Sequence, residues 1–274
     1  MRLGGPVFGS FATPAAWVQA HLALDYRAAF CPIDHTAASE TIDEYRKAAD
    51  EADLLIAEVG AWSNPLSNDK EQRRKARDFC KRQLELAEQI GSRCCVNISG
   101  SFGDQWDGHH KDNLTDYGFE AVVEMVQDII DSVGPTVTAY TLEPMPWMYP
   151  DSPESYARLL DAVDRSQFGV HLDPVNMINQ PARYYQNGAF LQECFTTLGG
   201  RIRSCHAKDI RMTQKLTVHL DEVRPGKGQL CYKTFLRELQ KLDADTPLML
   251  EHLSTAEEYR RAAEYVRTAA EALD

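Results

Sequence analysis

Four residues with metal-ligand chemistry, Glu143, Asp173, His206 and Glu251, stand at the ends of apolar, β-rich runs: "VTAYTLE" (137–143), "FGVHLD" (168–173), "IRSCHAK" (202–208) and "LMLEH" (248–252). Charged side chains are seldom buried without a partner. Three carboxylates and one imidazole suit a hard or borderline divalent cation, Mn²⁺ first and Mg²⁺ or Co²⁺ as alternatives; a structural zinc site would draw more on cysteine or histidine. Such a cation stabilises, as a Lewis acid, the charge left when a proton is removed beside a carbonyl. A carboxylate next to it acts as the base if its pKa is tuned by the site. The four are separated by 30, 33 and 45 residues, close to one strand-helix unit each, the last enlarged by "DIRMTQKLTVHLDEVRPGKGQ".

Other residues are placed for substrate. Residues two apart on a strand share a face, so His171 points with Asp173 and Lys208 with His206. Arg224, before Pro225 and Gly226, is a candidate clamp for substrate oxygens. Glu58 and Trp62, in "AEVGAWSNP", are candidate rim residues, and "SGSFGDQWDGHHKDN" (99–113) concentrates Trp106, Asp107, His109 and His110 in a glycine-rich segment suited to a lid, with His110 or His109 as a second acid/base. The stretch "EPMPWMYPDSP" stiffens the chain behind Glu143 with four prolines, so Trp147 and Tyr149 can form an aromatic wall with little entropy to lose on binding.

These positions require a scaffold that brings strand ends together. Short apolar runs, "PVFGS" (6–10), "AAFCPI" (28–33), "LLIAEVG" (54–60) and "CCVNIS" (94–99) before the four above, alternate with eight longer stretches, most of which carry apolar residues at i, i+3, i+4, i+7. Thr13-Pro14 and Ser152-Pro153 are helix starts, an N-cap residue before a proline at the first helical position. Eight such units without a Pro/Ser-rich linker predict an α/β protein, a (β/α)8 TIM barrel, as a single domain over 1–274, with its chemistry at the C-terminal ends of the strands.

Composition excludes several classes. A formal charge of −12, from 29 Lys and Arg against 41 Asp and Glu, argues against a nucleic-acid partner. The densest basic run, "KEQRRKARDFCKR" (70–82), has helical spacing with interleaved acids and reads as a solvated face. No apolar stretch approaches a membrane span, and "MRLGGPVFGS" lacks the pattern of a signal peptide, so a cytoplasmic location is expected. The seven scattered cysteines read as reduced core residues.

With these motifs in place, the chain resembles the xylose isomerase-like TIM-barrel superfamily, the sugar phosphate isomerase/epimerase group that includes ketose 3-epimerases. The resemblance runs over almost the whole chain and is carried by "LEP" (142–144), "HLDPVN" (171–176), "CHAKD" (205–209), "EVRPGKG" (222–228) and "LEH" (250–252). It implies that Glu143, Asp173, His206 and Glu251 are the metal ligands, that Glu143 and Glu251 exchange protons with opposite sides of a sugar carbon through an enediolate, and that the protein forms a homo-oligomer. The loop after Glu143 differs from that of the ketose 3-epimerases, and Asn176 stands where they often carry a histidine. The expected activity is therefore isomerisation or epimerisation of a sugar, keto-sugar or sugar phosphate. A lyase or dehydratase sharing the first proton abstraction is the enzymatic alternative, and a non-catalytic sugar-binding barrel the alternative of another class.

Overall fold

Eight parallel strands close a barrel in a computed structural model that describes residues 1–273. They are β1 (Arg2–Gly4), β2 (Ala28–Phe30), β3 (Leu55–Gly60), β4 (Cys94–Asn97), β5 (Ala139–Leu142), β6 (Phe168–Leu172), β7 (Ile202–Ala207) and β10 (Pro247–Leu250), with β10 pairing with both β7 and β1. Between them run α1 (Pro14–Leu22), α2 (Ser39–Glu51), α3 (Lys70–Ile90), α4 (Asp116–Val133), α5 (Pro153–Val163), α6 (Pro174–Met177), α7 (Pro181–Tyr185), α8 (Asn187–Leu198), α9 (Tyr232–Leu239) and α10 (Ala256–Glu271). This is the (β/α)8 architecture that the alternating pattern predicts.

The helices start where the caps say. Thr13, Thr115, Ser152 and Thr255 accept backbone N–H groups of the first turn, with prolines at the first positions of α1 and α5. Glycine in the left-handed conformation ends α3 at Gly91 (φ 74°) and α4 at Gly134 (φ 63°), satisfying carbonyls at the helix ends. The apolar faces of the helices pack on the outside of the barrel in one continuous core. The basic run at 70–82 lies on α3, where Arg74 and Lys75 pair with Glu71 on an exposed face.

One expectation is corrected, and two further segments take a form that the alternating pattern does not give. The first strand lies at 2–4 and not at 6–10: Arg2, Leu3 and Gly4 pair with Pro247, Leu248 and Met249, while Pro6 has passed into the cavity wall and Phe8, 55% exposed, rests against Tyr259. The amphipathic stretch at 182–198 is two helices, α7 and α8, meeting at Gln186. The long segment after β7 folds as an antiparallel hairpin, β8 (Asp209–Thr213) with β9 (His219–Val223), which stands outside the barrel sheet. All seven cysteines are free, five of them buried, and among the described residues no helix is long and apolar enough to cross a membrane.

Candidate metal centre

Glu143, Asp173, His206 and Glu251 converge at the C-terminal end of the barrel, each offering one ligand atom within 4.8 Å of the others. Each is placed by a local device. Glu143 follows β5 directly, and its N–H extends the ladder by donating to Asn97 O at 2.8 Å. Asp173 caps α6: its Oδ1 accepts from Val175 N and Asn176 N at 3.0 and 3.1 Å, which turns Oδ2 inward. His206 sits within β7 and pairs in register with Met249 of β10, so Glu251, two residues further on, arrives beside it. His206 Nδ1 lies 2.8 Å from Glu251 Oε1, 3.4 Å from Glu143 Oε1 and 3.7 Å from Asp173 Oδ2.

The donor set fits a divalent cation. His206 Nδ1, Asp173 Oδ2 and Glu251 Oε1 are buried and make no hydrogen bond of acceptable geometry, and all three point at the same volume. Buried polar atoms left in this way are costly unless something binds them. The Lys208 ammonium lies against them, 2.7 Å from Asp173 Oδ2, 2.5 Å from Glu251 Oε1 and 3.3 Å from Glu143 Oε1. Burial works against the charge on Lys208, but Asp173, Glu143 and Glu251 outweigh it and raise its pKa well above the ordinary value. For Asp173 burial opposes ionisation, and Lys208 and His206 overcome it and hold its pKa low.

Behind the quartet is a second polar layer inside the barrel. Glu58, on β3, receives His171 Nε2 at 3.1 Å and the Ser204 hydroxyl on Oε1, and its Oε2 lies 3.3 Å from His206 Nε2. Burial would raise the pKa of Glu58, yet His171 and His206 drive it well below the usual range. Glu58, His171 and His206 also lie close enough to one another to be ligands of a cation, but here they are bonded to one another.

A cavity of about 1150 Å³ opens above the quartet. Glu143, Glu251, Trp62 and Trp147 line it as the sequence suggests, and Glu58 forms part of its floor. His171, Lys208, Arg224 and His110 do not reach its wall. His171 is wholly buried against Glu58, and Lys208 is taken up by the carboxylates. Arg224 pairs with Glu258 at 2.8 Å, so its guanidinium is spent on α10 and does not clamp a ligand. His110 accepts from Asp112 N within its own loop. Among the cavity residues that the sequence did not mark as site groups are Asn176, which donates to Glu143 Oε1 at 3.0 Å, and Glu222 on β9, 3.6 Å from Lys208 Nζ. The "DPVN" motif held the signal for Asn176 and "EVRPGKG" that for Glu222, but only the hairpin shows that Glu222 returns to the barrel mouth.

"CHAKD" and "RPGKG" are joined by Asp209. Its carboxylate accepts four backbone N–H groups, from Ile210 and Leu230 on Oδ1 and from Gly226 and Gly228 on Oδ2, all at 2.8 or 2.9 Å. Gly226 has φ 87°, and a Cβ at Gly228 would collide with the Asp209 carboxylate. The two glycines thus serve a loop wrapped on a carboxylate.

The family model described as xylose isomerase-like TIM barrel matches residues 19–269. No curated protein sequence matches the chain. Among solved structures, it is similar to a xylose isomerase-like TIM barrel protein from Mycobacterium smegmatis in complex with magnesium (TM-score 0.68, 16% identity, 96% of this chain and 91% of that one). It is also similar to 3-keto-D-glucoside 4-epimerase from E. coli (TM-score 0.67, 16% identity, 98% and 99%). Endonuclease IV from Thermus thermophilus superposes as well (TM-score 0.73, 16% identity, 99% and 100%). At such identities the likeness is one of fold, and the fold carries different chemistries.

Proposed function

Because the chain belongs to the xylose isomerase-like TIM barrel family, we propose that it is a divalent-metal-dependent isomerase or epimerase of a sugar or keto-sugar, with manganese the first choice of metal and magnesium or cobalt as alternatives. The observation that carries the reading is the convergence of three carboxylates and His206 Nδ1, three of those atoms buried without a hydrogen bond of acceptable geometry, beneath a large cavity lined by Glu143 and Glu251.

A cation held by Glu143, Asp173, His206 and Glu251 would supply Lewis-acid stabilisation of the charge that develops on the substrate oxygens. The chain's own groups do the rest. Glu143 and Glu251 lie on strands separated by β6 and β7 and both line the cavity, so a sugar carbon between them meets a carboxylate on either side. One removes the proton next to the carbonyl and the other returns it. Asn176 holds Glu143 Oε1, orienting the carboxylate. Trp147 closes over the Glu143 side, its Nε1 donating to Asp107 O at 2.7 Å and so fastening the loop after β5 to the loop after β4. Placing the substrate under these loops shields the enediolate from direct protonation by bulk water, so that its carbon receives a proton only from one of the two carboxylates, which exchange theirs with solvent.

The test is deuterium incorporation from D₂O into ketoses, keto-sugars and their phosphates, with the metal-loaded protein and with the chelated protein. Metal-dependent exchange at the carbon next to the carbonyl, with an isomer as product, is the expected result. Loss of water or a cleaved product would assign the same proton abstraction to a lyase or dehydratase. Absence of exchange with every ligand that binds would leave a sugar-binding barrel.

A further inference from the structure

The geometry points to an uncharged substrate of more than one ring: a keto-sugar joined through a glycosidic bond to a second ring or apolar group that lies against Trp62 and Trp106. This rests on the reading of the metal centre above and extends it from the reacting ring to what that ring carries.

Size is the first observation. The cavity, about 1150 Å³, exceeds the range of about 300–1,000 Å³ usual for drug-sized ligands, far more space than one monosaccharide needs. The metal quartet occupies only the side built from β5, β6, β7 and β10. Around the rim, three tryptophans stand in succession, two on the strands before that side and one on its first strand: Trp62 past the end of β3, Trp106 after β4 and Trp147 after β5. They are 43%, 39% and 40% exposed, whereas Trp17 in the core is 3% exposed. Trp147 is committed to Asp107. The indole of Trp62 lies on bare backbone, since a Cβ at Gly60 would come within 2.5 Å of its Nε1. The lining also includes Val218 and Leu220 of the hairpin. Apolar faces of this kind match the C–H face of a pyranose or an aromatic aglycone.

Charge is the second observation. Among the described residues lining the cavity there is no lysine or arginine, and beyond the quartet and Glu58 there are two further acids, Asp107 and Glu222. His252, the lining imidazole, is 3.2 Å from Glu222 and so already has an anionic partner. Lys208 is held by three carboxylates and Arg224 by Glu258. Away from the cation, a phosphate or carboxylate on the substrate would meet these acids with no lysine or arginine side chain in the lining to bind it.

The test is calorimetric binding to the Mg²⁺-loaded protein of D-fructose, D-fructose 6-phosphate and isomaltulose, a ketose bearing a neutral second ring, and of methyl and phenyl 3-keto-glucosides. The two-ring member of each neutral pair is expected to bind about tenfold tighter or more, the worth of one or two aromatic contacts, and the phosphate more weakly than isomaltulose. The advantage should shrink in Trp62→Ala and in Gly60→Ala, which displaces the same indole, while Mg²⁺ affinity stays unchanged. Tightest binding by the phosphate, equal binding within each pair, no binding by any of them, or an advantage that survives both substitutions overturns the proposal. The two readings fail separately. Ordered binding without proton exchange removes the isomerase and keeps the ligand class; exchange with fructose as ready as with isomaltulose removes the ligand class and keeps the isomerase.

Discussion

Glu58 Oε2 lies 3.3 Å from His206 Nε2, while the opposite ring nitrogen, Nδ1, lies 2.8 Å from Glu251 Oε1 and faces the other two carboxylates. A carboxylate on Nε2 favours the tautomer with its proton there, which frees the Nδ1 lone pair for a cation. Glu58→Gln is therefore expected to lower divalent-metal affinity by about 10- to 100-fold, the usual effect of removing such a partner. Calorimetric titration with Mn²⁺ or Mg²⁺ reads it, and unchanged affinity would reduce Glu58 to a packing role.

Glu143→Gln and Glu251→Gln should each leave the fold intact and reduce proton exchange by at least about 10²-fold, since each removes both a ligand charge and a proton carrier. Circular dichroism checks the fold, and single-turnover exchange in D₂O checks the chemistry. Full activity in either variant removes that residue from proton transfer.

Lys208 is wholly buried among Asp173, Glu251 and Glu143. Lys208→Met leaves three carboxylates with one positive partner fewer, and breaking a buried ion pair costs about 3–5 kcal/mol. In chelator, Tm should fall by roughly 6–15 °C. Added Mg²⁺ should recover most of the loss, because the cation supplies the missing charge. Equal losses with and without metal would separate Lys208 from the cation site.

Asp209→Asn replaces an acceptor of two N–H groups with a donor, leaving backbone donors of the 226–230 segment unpaired. The expected cost is about 1–3 kcal/mol. Amide exchange should accelerate from Gly226 to Leu230 while α3 and α4 keep their protection. Uniform acceleration across the molecule would instead mean global destabilisation.

Glu88 on α3 gathers the entry to β5: Oε1 accepts from Thr136 N and Oγ1, and Oε2 from Val137 N and Thr138 N, at 2.6 to 3.0 Å. Burial would raise its pKa, but these bonds outweigh it and lower it from 4.5 to about 2. A depressed carboxylate adds stability above its unfolded pKa and loses it as pH falls toward the folded value. Glu88→Gln should thus cost about 1 kcal/mol near pH 7, a modest figure because the group is partly solvated. In urea unfolding the gap to the unmodified protein should narrow between pH 4.5 and pH 2. A gap independent of pH would contradict the assignment.

The quartet could be read along the chain because a barrel repeats one strand-helix unit, so ligand-type residues at strand ends about thirty apart must share a rim. Periodicity also located the helices and seven of the eight barrel strands, since burying one face of each against the sheet leaves a direct imprint on residue order. Direction was legible in this way, but depth was not. His171 and Lys208 point inward as alternation requires, yet whether an inward polar group meets substrate or another side chain depends on what stands opposite. Those partners, Glu58 for His171 and the three carboxylates for Lys208, come from strands 35 to 113 residues away. Nor could local sequence show that Arg224 would turn to Glu258, that the hairpin at 209–223 would bring Glu222 to the cavity, or that β1 would precede the more apolar run at 6–10. Each of these was decided by long-range pairing, because the free energy of a polar or edge residue is set by the partner that folding places beside it and not by its neighbours in the chain.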